Sequence, residues 1–193
     1  MIVHDVVQGS EDWFACRIGR MTGSHAQEIS ANGKGLNTYI YKILAEKSSA
    51  ERESYTNEHM QRGNELEPVA RGIYELAMNT QVKEVGFIEH DEYSGCSPDG
   101  LIDEDGGIEI KCPSDPVYSR VLINRRPDSK YAWQCQMAMM ITGRKWWDLV
   151  YFNPNFEQSM TTFRLEADEE KHEKLRAGLE RGKELIKEIT SKL

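Results

Sequence analysis

Between Ser97 and Pro113 the chain reads Ser-Pro-Asp-Gly-Leu-Ile-Asp-Glu-Asp-Gly-Gly-Ile-Glu-Ile-Lys-Cys-Pro, and no other stretch restricts the fold so tightly. Asp99-Gly100 and Gly106-Gly107 are turn signals, and short apolar pieces follow each, so the segment predicts a β-hairpin. In its second strand Ile108 and Ile110 alternate with Glu109 and Lys111. Alternate side chains of a strand point to opposite faces. The isoleucines therefore face a core, and Glu109 and Lys111 share the other face. Asp99, at the end of the first strand or in a bulge beside it, can reach that second face. Two carboxylates beside an ammonium suit a hard divalent cation, Mg²⁺ or Mn²⁺ rather than zinc or copper. The same residues also fit a solvated acidic turn and a cross-strand charge pair.

Asp, a turn, and then Glu-x-Lys on a strand resembles the signature of the PD-(D/E)XK nuclease superfamily. The fuller string Cys-Ser-Pro-Asp-Gly-Leu…Gly-Ile-Glu-Ile-Lys-Cys-Pro resembles the lambda-type phage exonucleases, the YqaJ-like viral recombinases. The element order predicts a single α/β (α+β) domain over residues 1–193, with a mixed central sheet flanked by helices. The resemblance implies that this domain is restriction-endonuclease-like.

Residues 7–24 contain Ser10, Trp13, Arg17, Thr22 and Ser24. Ser10 can cap a short helix carrying Trp13 and Arg17, and Thr22 or Ser24 the next, near His25–Ser30. A helix N-terminus beside an arginine can receive an anion. Alternatively, Ser24 is only a cap and Arg17 pairs with a surface carboxylate. The lambda-type exonucleases open with a similar Gln-Gly…Trp…Arg-x-Gly…Thr-x-Ser pattern. That likeness implies that Arg17, Ser24, Ser97 and Gln134 form a pocket for a terminal 5′-phosphate. Asn32-Gly-Lys-Gly35 reads as a loop, followed by a helix over about 38–47.

Leu66, Val69, Ala70, Ile73, Tyr74, Leu76 and Ala77 follow helical spacing. Asn64 with Glu67 fits a capping box, and Pro68 then lies in the first turn. The resemblance assigns Glu67 differently, as the third acid of a metal site with Asp99 and Glu109. It also puts Met60 near the point of strand separation. Further on, residues 82–89 predict a strand, and Tyr131–Ile141 an apolar helix with Gln134 and Gln136 embedded. Two strands follow, then an amphipathic helix over about 168–190. Its stripe of Leu175, Leu179, Ile186 and Ile189 is core or a subunit seam.

The formal net charge of −8 argues against coating DNA by bulk electrostatics. A nucleic-acid enzyme with this balance must concentrate its cations. Arg120, Arg125, Arg126 and Lys130 form the strongest such cluster before the last helix; they suit DNA backbone contact or a charged surface loop. Four scattered cysteines without Cys-x-x-Cys disfavour structural zinc and suggest reduced thiols. No apolar run approaches the roughly 20 residues of a membrane span. Met-Ile-Val-His-Asp at the start lacks signal-peptide character, so no membrane role and a cytoplasmic setting are expected.

By resemblance, the expected activity is metal-dependent 5′→3′ degradation of one strand of linear double-stranded DNA from 5′-phosphorylated ends, in recombination by strand annealing. It implies two Mg²⁺ held by Glu67, Asp99, Glu109 and the backbone carbonyl of Ile110, with Mn²⁺ able to substitute and Lys111 catalytic. It also implies a homotrimeric ring, a single-strand annealing protein as partner, and a phage or prophage origin. The competing readings are another nuclease of the superfamily, of endonuclease or CRISPR-adaptation type, a non-catalytic DNA-end receptor, and a small-substrate metal hydrolase such as a phosphatase.

Overall fold

The computed structural model describes residues 1–48 and 58–192, the side chains of 58–60 excepted. In chain order its elements are β1 (Ile2–His4), α1 (Glu11–Arg17), β2 (Met21–Thr22), a 3-10 turn (Gly23–His25), α2 (Ala26–Ala31), α3 (Lys34–Ser48) and α4 (Glu58–Met78). Then come β3 (Phe87–Asp91), β4 (Ser94–Cys96), β5 (Gly100–Ile102), β6 (Gly106–Lys111), α5 (Asp115–Asn124), α6 (Ser129–Thr142), β7 (Trp146–Phe152), β8 (Met160–Glu166) and α7 (Glu169–Thr190). The expected mixed α+β architecture is present, with its strands in two four-stranded sheets ordered β1-β3-β4-β2 and β5-β6-β7-β8. In the second, β5 and β8 run antiparallel to their neighbours while β6 and β7 are parallel. A parallel pair needs a crossover, here supplied by α5 and α6.

The central strands β6 and β7 of the second sheet are buried on both faces. Ile108 and Ile110 join Val150, Phe152, Ile102, Ala70 and Tyr74 in a small core beneath α4. Trp147, Leu149 and Tyr151, on the opposite face of β7, join the larger core that contains Met137, Met139, Leu175 and Leu179. Glu109 stands beside Leu149, and Lys111 beside Tyr151. The alternation read from the sequence therefore holds, but its polar face points into protein rather than water.

Several local expectations are corrected. Gly106-Gly107 is strand, not turn. A Cβ at Gly106 would lie 2.0 Å from the Trp146 ring, and one at Gly107 2.4 Å from the Trp147 ring. The glycines make room for two indoles on the neighbouring strand. The turn itself falls at Asp103–Asp105, with Asp103 at φ 46°. Arg144 Nη1 braces it by donating to the carbonyls of Ile102, Asp103 and Gly106.

Asn64 and Glu67 do not form a capping box. Helix α4 begins at Glu58, so Pro68 lies inside it and cannot donate to the Asn64 carbonyl. Neither Thr22 nor Ser24 caps α2, whose N-cap is His25 without a side-chain bond. Thr22 Oγ1 instead meets Ser24 Oγ at 3.2 Å. Ser10 does cap α1, accepting from the Trp13 amide. Lys34 and Gly35 belong to α3, which starts after the left-handed Asn32. The strand expected over 82–89 begins at Phe87, with Lys83 forming only an isolated bridge to Leu101. Met60 falls in α4, but its side chain and the polar residues 49–57 lie outside the described residues.

Helix α7 is core rather than seam. Leu175, Leu179 and Ile186 are buried, and Gly178 lets the helix approach α2 so closely that a Cβ would lie 1.9 Å from the Ile29 carbonyl oxygen. Among the described residues no helix is long and apolar enough to cross a membrane. All four cysteines are free thiols, Cys96 and Cys135 buried.

Gly178→Ala is expected to destabilise by about 1–3 kcal/mol through overpacking. Gly72→Ala in α4, where a Cβ meets nothing within 4 Å, is expected to stabilise by about 0.4–1 kcal/mol. Equilibrium urea unfolding of both variants checks the pair of signs.

Candidate active site

The site begins just ahead of the short strand β5. The Ile110 amide lies beyond the end of its β5 neighbour, and the Asp99 carboxylate takes the place of the missing strand carbonyl, Oδ2 accepting at 2.6 Å. This bond draws Asp99 against β6. Glu109, only 2% exposed, points toward α6, where Gln134 Nε2 donates to its Oε1 at 2.6 Å. Lys111 Nζ reaches the same oxygen at 2.5 Å and stands 5.1 Å from the centre of the Tyr131 ring. Gln136 faces elsewhere, bridging the Glu166 carbonyl and the Asp168 amide. Of the two embedded glutamines, the fold therefore turns only Gln134 to the acids.

Glu67 arrives from the other side, on the helix that covers the isoleucine face. Arg71 Nη2 donates to its Oε1 at 2.7 Å, and the same guanidinium pairs with Glu84. The helix is anchored two turns further on. Tyr74 Oη donates to the buried Asp148 at 2.5 Å, and Arg164 grips that carboxylate with two bonds of 2.8 Å. Nothing in the sequence pattern singled out this triad, because an Asp inside an apolar strand is unreadable without its partners.

Beside Asp99 and Glu109 lies a pocket of about 170 Å³ lined by Arg17, Ser24, Ser97, Lys111 and Gln134, as well as Gln8 and Trp13. Ser97 Oγ accepts from Trp13 Nε1 at 3.0 Å and from Arg17 Nη1 at 2.9 Å. With both lone pairs taken, its hydroxyl proton is left to donate. The Arg17 guanidinium lies 4.2 Å above the Trp13 ring. Gln8 and Trp13 were not among the expected site residues. Gln8 stands in the motif at the head of the chain, and its amide donates to the carbonyls of Val85 and Pro98. Seven of the expected residues thus converge on this pocket. Glu67 does not line it, and Ile110 contributes its backbone alone.

The electrostatics follow from burial. Burial raises the Glu67 carboxyl, helped by the negative charge of Asp99, to about 7. The same two causes raise Glu109, and burial raises Asp99. Burial works against the Lys111 ammonium too, but Glu109 and Asp99 more than offset it and hold its pKa above the ordinary value. Lys111 therefore stays charged, and the strain falls on the acids. Glu109 is pulled both ways, toward ionisation by the ammonium and toward protonation by burial and Asp99. Lys111 and Arg71, the latter shared with Glu84, do not offset the cost of ionising three carboxylates here.

Among the described residues no three acids, histidines or cysteines stand preassembled to hold an ion. Each acid is instead tied through a single oxygen: Glu67 by Arg71, Asp99 by the Ile110 amide, Glu109 by Lys111 and Gln134. The second oxygen of each has no protein donor among the described residues. Oxygen donors with surplus negative charge fit a hard divalent cation in their chemistry.

A mixed sheet carrying Asp99 and a Glu109-x-Lys111 strand between helices defines the class: a lambda-type exonuclease fold of the PD-(D/E)XK superfamily. The model of the YqaJ-like viral recombinase domain matches residues 12–145. An alkaline exonuclease from Laribacter hongkongensis is similar at 31% identity and TM-score 0.83, over 95% of this chain and 97% of that one. Its complex with dAMP matches equally. A phage-related exonuclease from Haemophilus somnus 129PT shares the fold at TM-score 0.72 and 14% identity, over 90% of this chain and 96% of that one. No curated protein matches. The chain belongs to the YqaJ-like viral recombinase family.

The raised acids predict a pH dependence. A carboxyl whose folded pKa exceeds its unfolded value keeps its proton where the unfolded chain has lost it, so stability falls as pH rises. For Glu67 the window runs from its ordinary value of 4.5 to about 7. In chelator, the melting temperature is expected to fall over that window, and Glu67→Gln to flatten the fall. Thermal melts of both proteins across the pH range check this.

Proposed function

We propose that this chain is a metal-dependent 5′→3′ exonuclease that degrades one strand of linear double-stranded DNA from 5′-phosphorylated ends, in recombination by strand annealing. The observation that carries the reading is the single pocket that Arg17, Ser24, Ser97 and Gln134 share with Asp99, Glu109 and Lys111. An anion receptor and a carboxylate–ammonium centre in one small cavity suit a substrate whose terminal phosphate sits beside its scissile one.

Each residue has a distinct task in this reading. Arg17 and the free proton of Ser97 receive the terminal phosphate, with Ser24 on the same wall. A charge-assisted bond of this kind favours a phosphorylated end over a hydroxyl. Arg17 is braced by the Trp13 ring and Ser97, so the receptor is set before substrate arrives. Gln134 fixes the Glu109 carboxylate, and Lys111 places a compact positive charge where negative charge develops on the phosphate. Glu67, Asp99, Glu109 and the Ile110 carbonyl would hold Mg²⁺, two per site, with Mn²⁺ as a substitute. When bound, the metal supplies Lewis-acid polarisation of the phosphate oxygens and a more acidic water.

The Laribacter structure with dAMP is a complex with a nucleoside monophosphate, the kind of product such an exonuclease would release. A homotrimeric ring around the DNA, a single-strand annealing partner and a cytoplasmic setting in a bacterial host belong to the same reading.

Linear duplexes with 5′-phosphate or 5′-hydroxyl ends, each strand labelled in turn, test it. Loss from the 5′ side is expected with Mg²⁺, faster for phosphate ends, and none with chelator. Arg17→Ala is expected to shrink the phosphate preference more than overall cleavage. Lys111→Ala is expected to slow cleavage by roughly 100- to 1,000-fold while retaining binding. A parent protein that binds ends but degrades nothing with Mg²⁺ would make the chain a DNA-end receptor instead.

A further inference from the structure

A larger cavity lies outside the site just described. A groove of about 760 Å³ runs between α5 and the start of α6, lined by Arg120, Asn124, Arg126, Tyr131 and Tyr151, among others. Its volume is within the roughly 300–1,000 Å³ of small-molecule and nucleotide sites. It adjoins the catalytic pocket. Tyr131 forms its wall, and Lys111, which lines the catalytic pocket, stands 5.1 Å from the Tyr131 ring centre. The Arg17–Ser97 receptor belongs to that pocket, and the groove lies beyond Lys111.

The groove is also where unpaired cations gather. Several basic side chains elsewhere are paired, as in Arg71–Glu67, Lys145–Asp105 and Lys183–Asp91. Arg120, Arg125, Arg126 and Lys130 are all exposed, and among the described residues none has an ion-pair partner. The two nearby acids, Asp115 and the groove-lining Asp128, pair with none of the four among the described residues. Asp115 accepts from Asn153 and Asn155, and Asp128 caps α6 through the Lys130 amide. In a protein of net charge −8, an unneutralised cationic rim is a local exception, and its complement is a polyanion. An aromatic face within a cationic groove suits unpaired bases, which stack on aromatic rings while their phosphates meet the cations.

We infer that the α5–α6 groove is a binding site for single-stranded DNA, taking the nucleotides that follow the scissile phosphate, with Arg120 and Arg126 on the backbone and Tyr131 beneath a base. The direction of the strand rests on the exonuclease reading above. Occupancy by single-stranded DNA does not.

The test is metal-free binding of a 5′-phosphorylated single strand of about 12 nucleotides, within the range of single-strand sites, followed by fluorescence anisotropy across salt concentrations. Arg120→Gln/Arg126→Gln is expected to weaken binding roughly tenfold and to reduce the slope of log affinity against log salt by about 1.4, two phosphate contacts' worth for a single strand. With 2-aminopurine near the 5′ end, quenching on binding is expected to survive Tyr131→Phe and to be lost in Tyr131→Leu. Affinity within twofold of the parent with an unchanged slope, or full quenching in the leucine variant, overturns the inference. Duplex degradation with Mg²⁺ on the same preparations separates the two readings. A parent that degrades nothing removes the exonuclease reading and leaves the groove to the binding data. A double variant with the parent's KM on duplex removes the groove and leaves the exonuclease reading.

Discussion

A carboxylate 2% exposed in the middle of a sheet strand is the constraint to which the rest of this structure answers. An isolated buried charge is prohibitively costly, so Glu109 needs partners in place. Lys111 supplies one from the same strand face. Gln134 supplies the other from α6, which must therefore lie across β6 at one register and no other. Asp99 adds a second buried acid and is held by a backbone amide at the end of the hairpin. The result is a centre with more negative charge than it can neutralise, beside a pocket that Arg17 lines.

Holding such a centre requires rigidity on both faces of the sheet. On one face, the larger core fixes α6 against β7 and, through α7 and the Gly178 contact, against α2. On the other, the small core of Ile108, Ile110, Val150 and Phe152 seats α4. The Tyr74–Asp148–Arg164 bonds lock α4 lengthwise, and Arg164 in turn lies 3.8 Å over the Trp146 ring. That indole is one of the two for which Gly106 and Gly107 leave space. The packing that anchors the Glu67 helix and the packing that flattens the hairpin are thus parts of one assembly. Each acid is tied to the scaffold through one oxygen, and the second oxygen of each has no protein donor among the described residues.

Legibility in the sequence tracked the range of the interactions. Ser10 capping α1, the alternation in β6 and the stripe of α7 depend on neighbours a few residues away, and each was readable. The Asn64–Glu67 capping box was equally local in form yet wrong, because α4 already begins at Glu58, ahead of both residues and of Pro68. Gly106-Gly107 looked like a turn because glycine's conformational freedom and its lack of a side chain are indistinguishable in a sequence; only the facing tryptophans decide which is in use. The division of the strands into two sheets, and the two- and three-residue strands β1 and β2, left no periodic signal. Gln8 and Trp13 stand in the motif at the head of the chain, but their place as pocket walls depends on Ser97, Pro98 and Val85, far away in the sequence.

The sequence by itself determined the chemistry available: which acids, which ammonium and which arginine exist, and, through the period-two pattern, which of them share a strand face. Tertiary structure alone decided that this polar face is dry, that Gln134 rather than Gln136 meets it, and that Arg17 and Ser97 reach the same cavity from positions 80 residues apart. The physical reason is that side-chain direction follows from local backbone geometry, whereas burial and electrostatic coupling depend on whatever the distant chain brings to the other side.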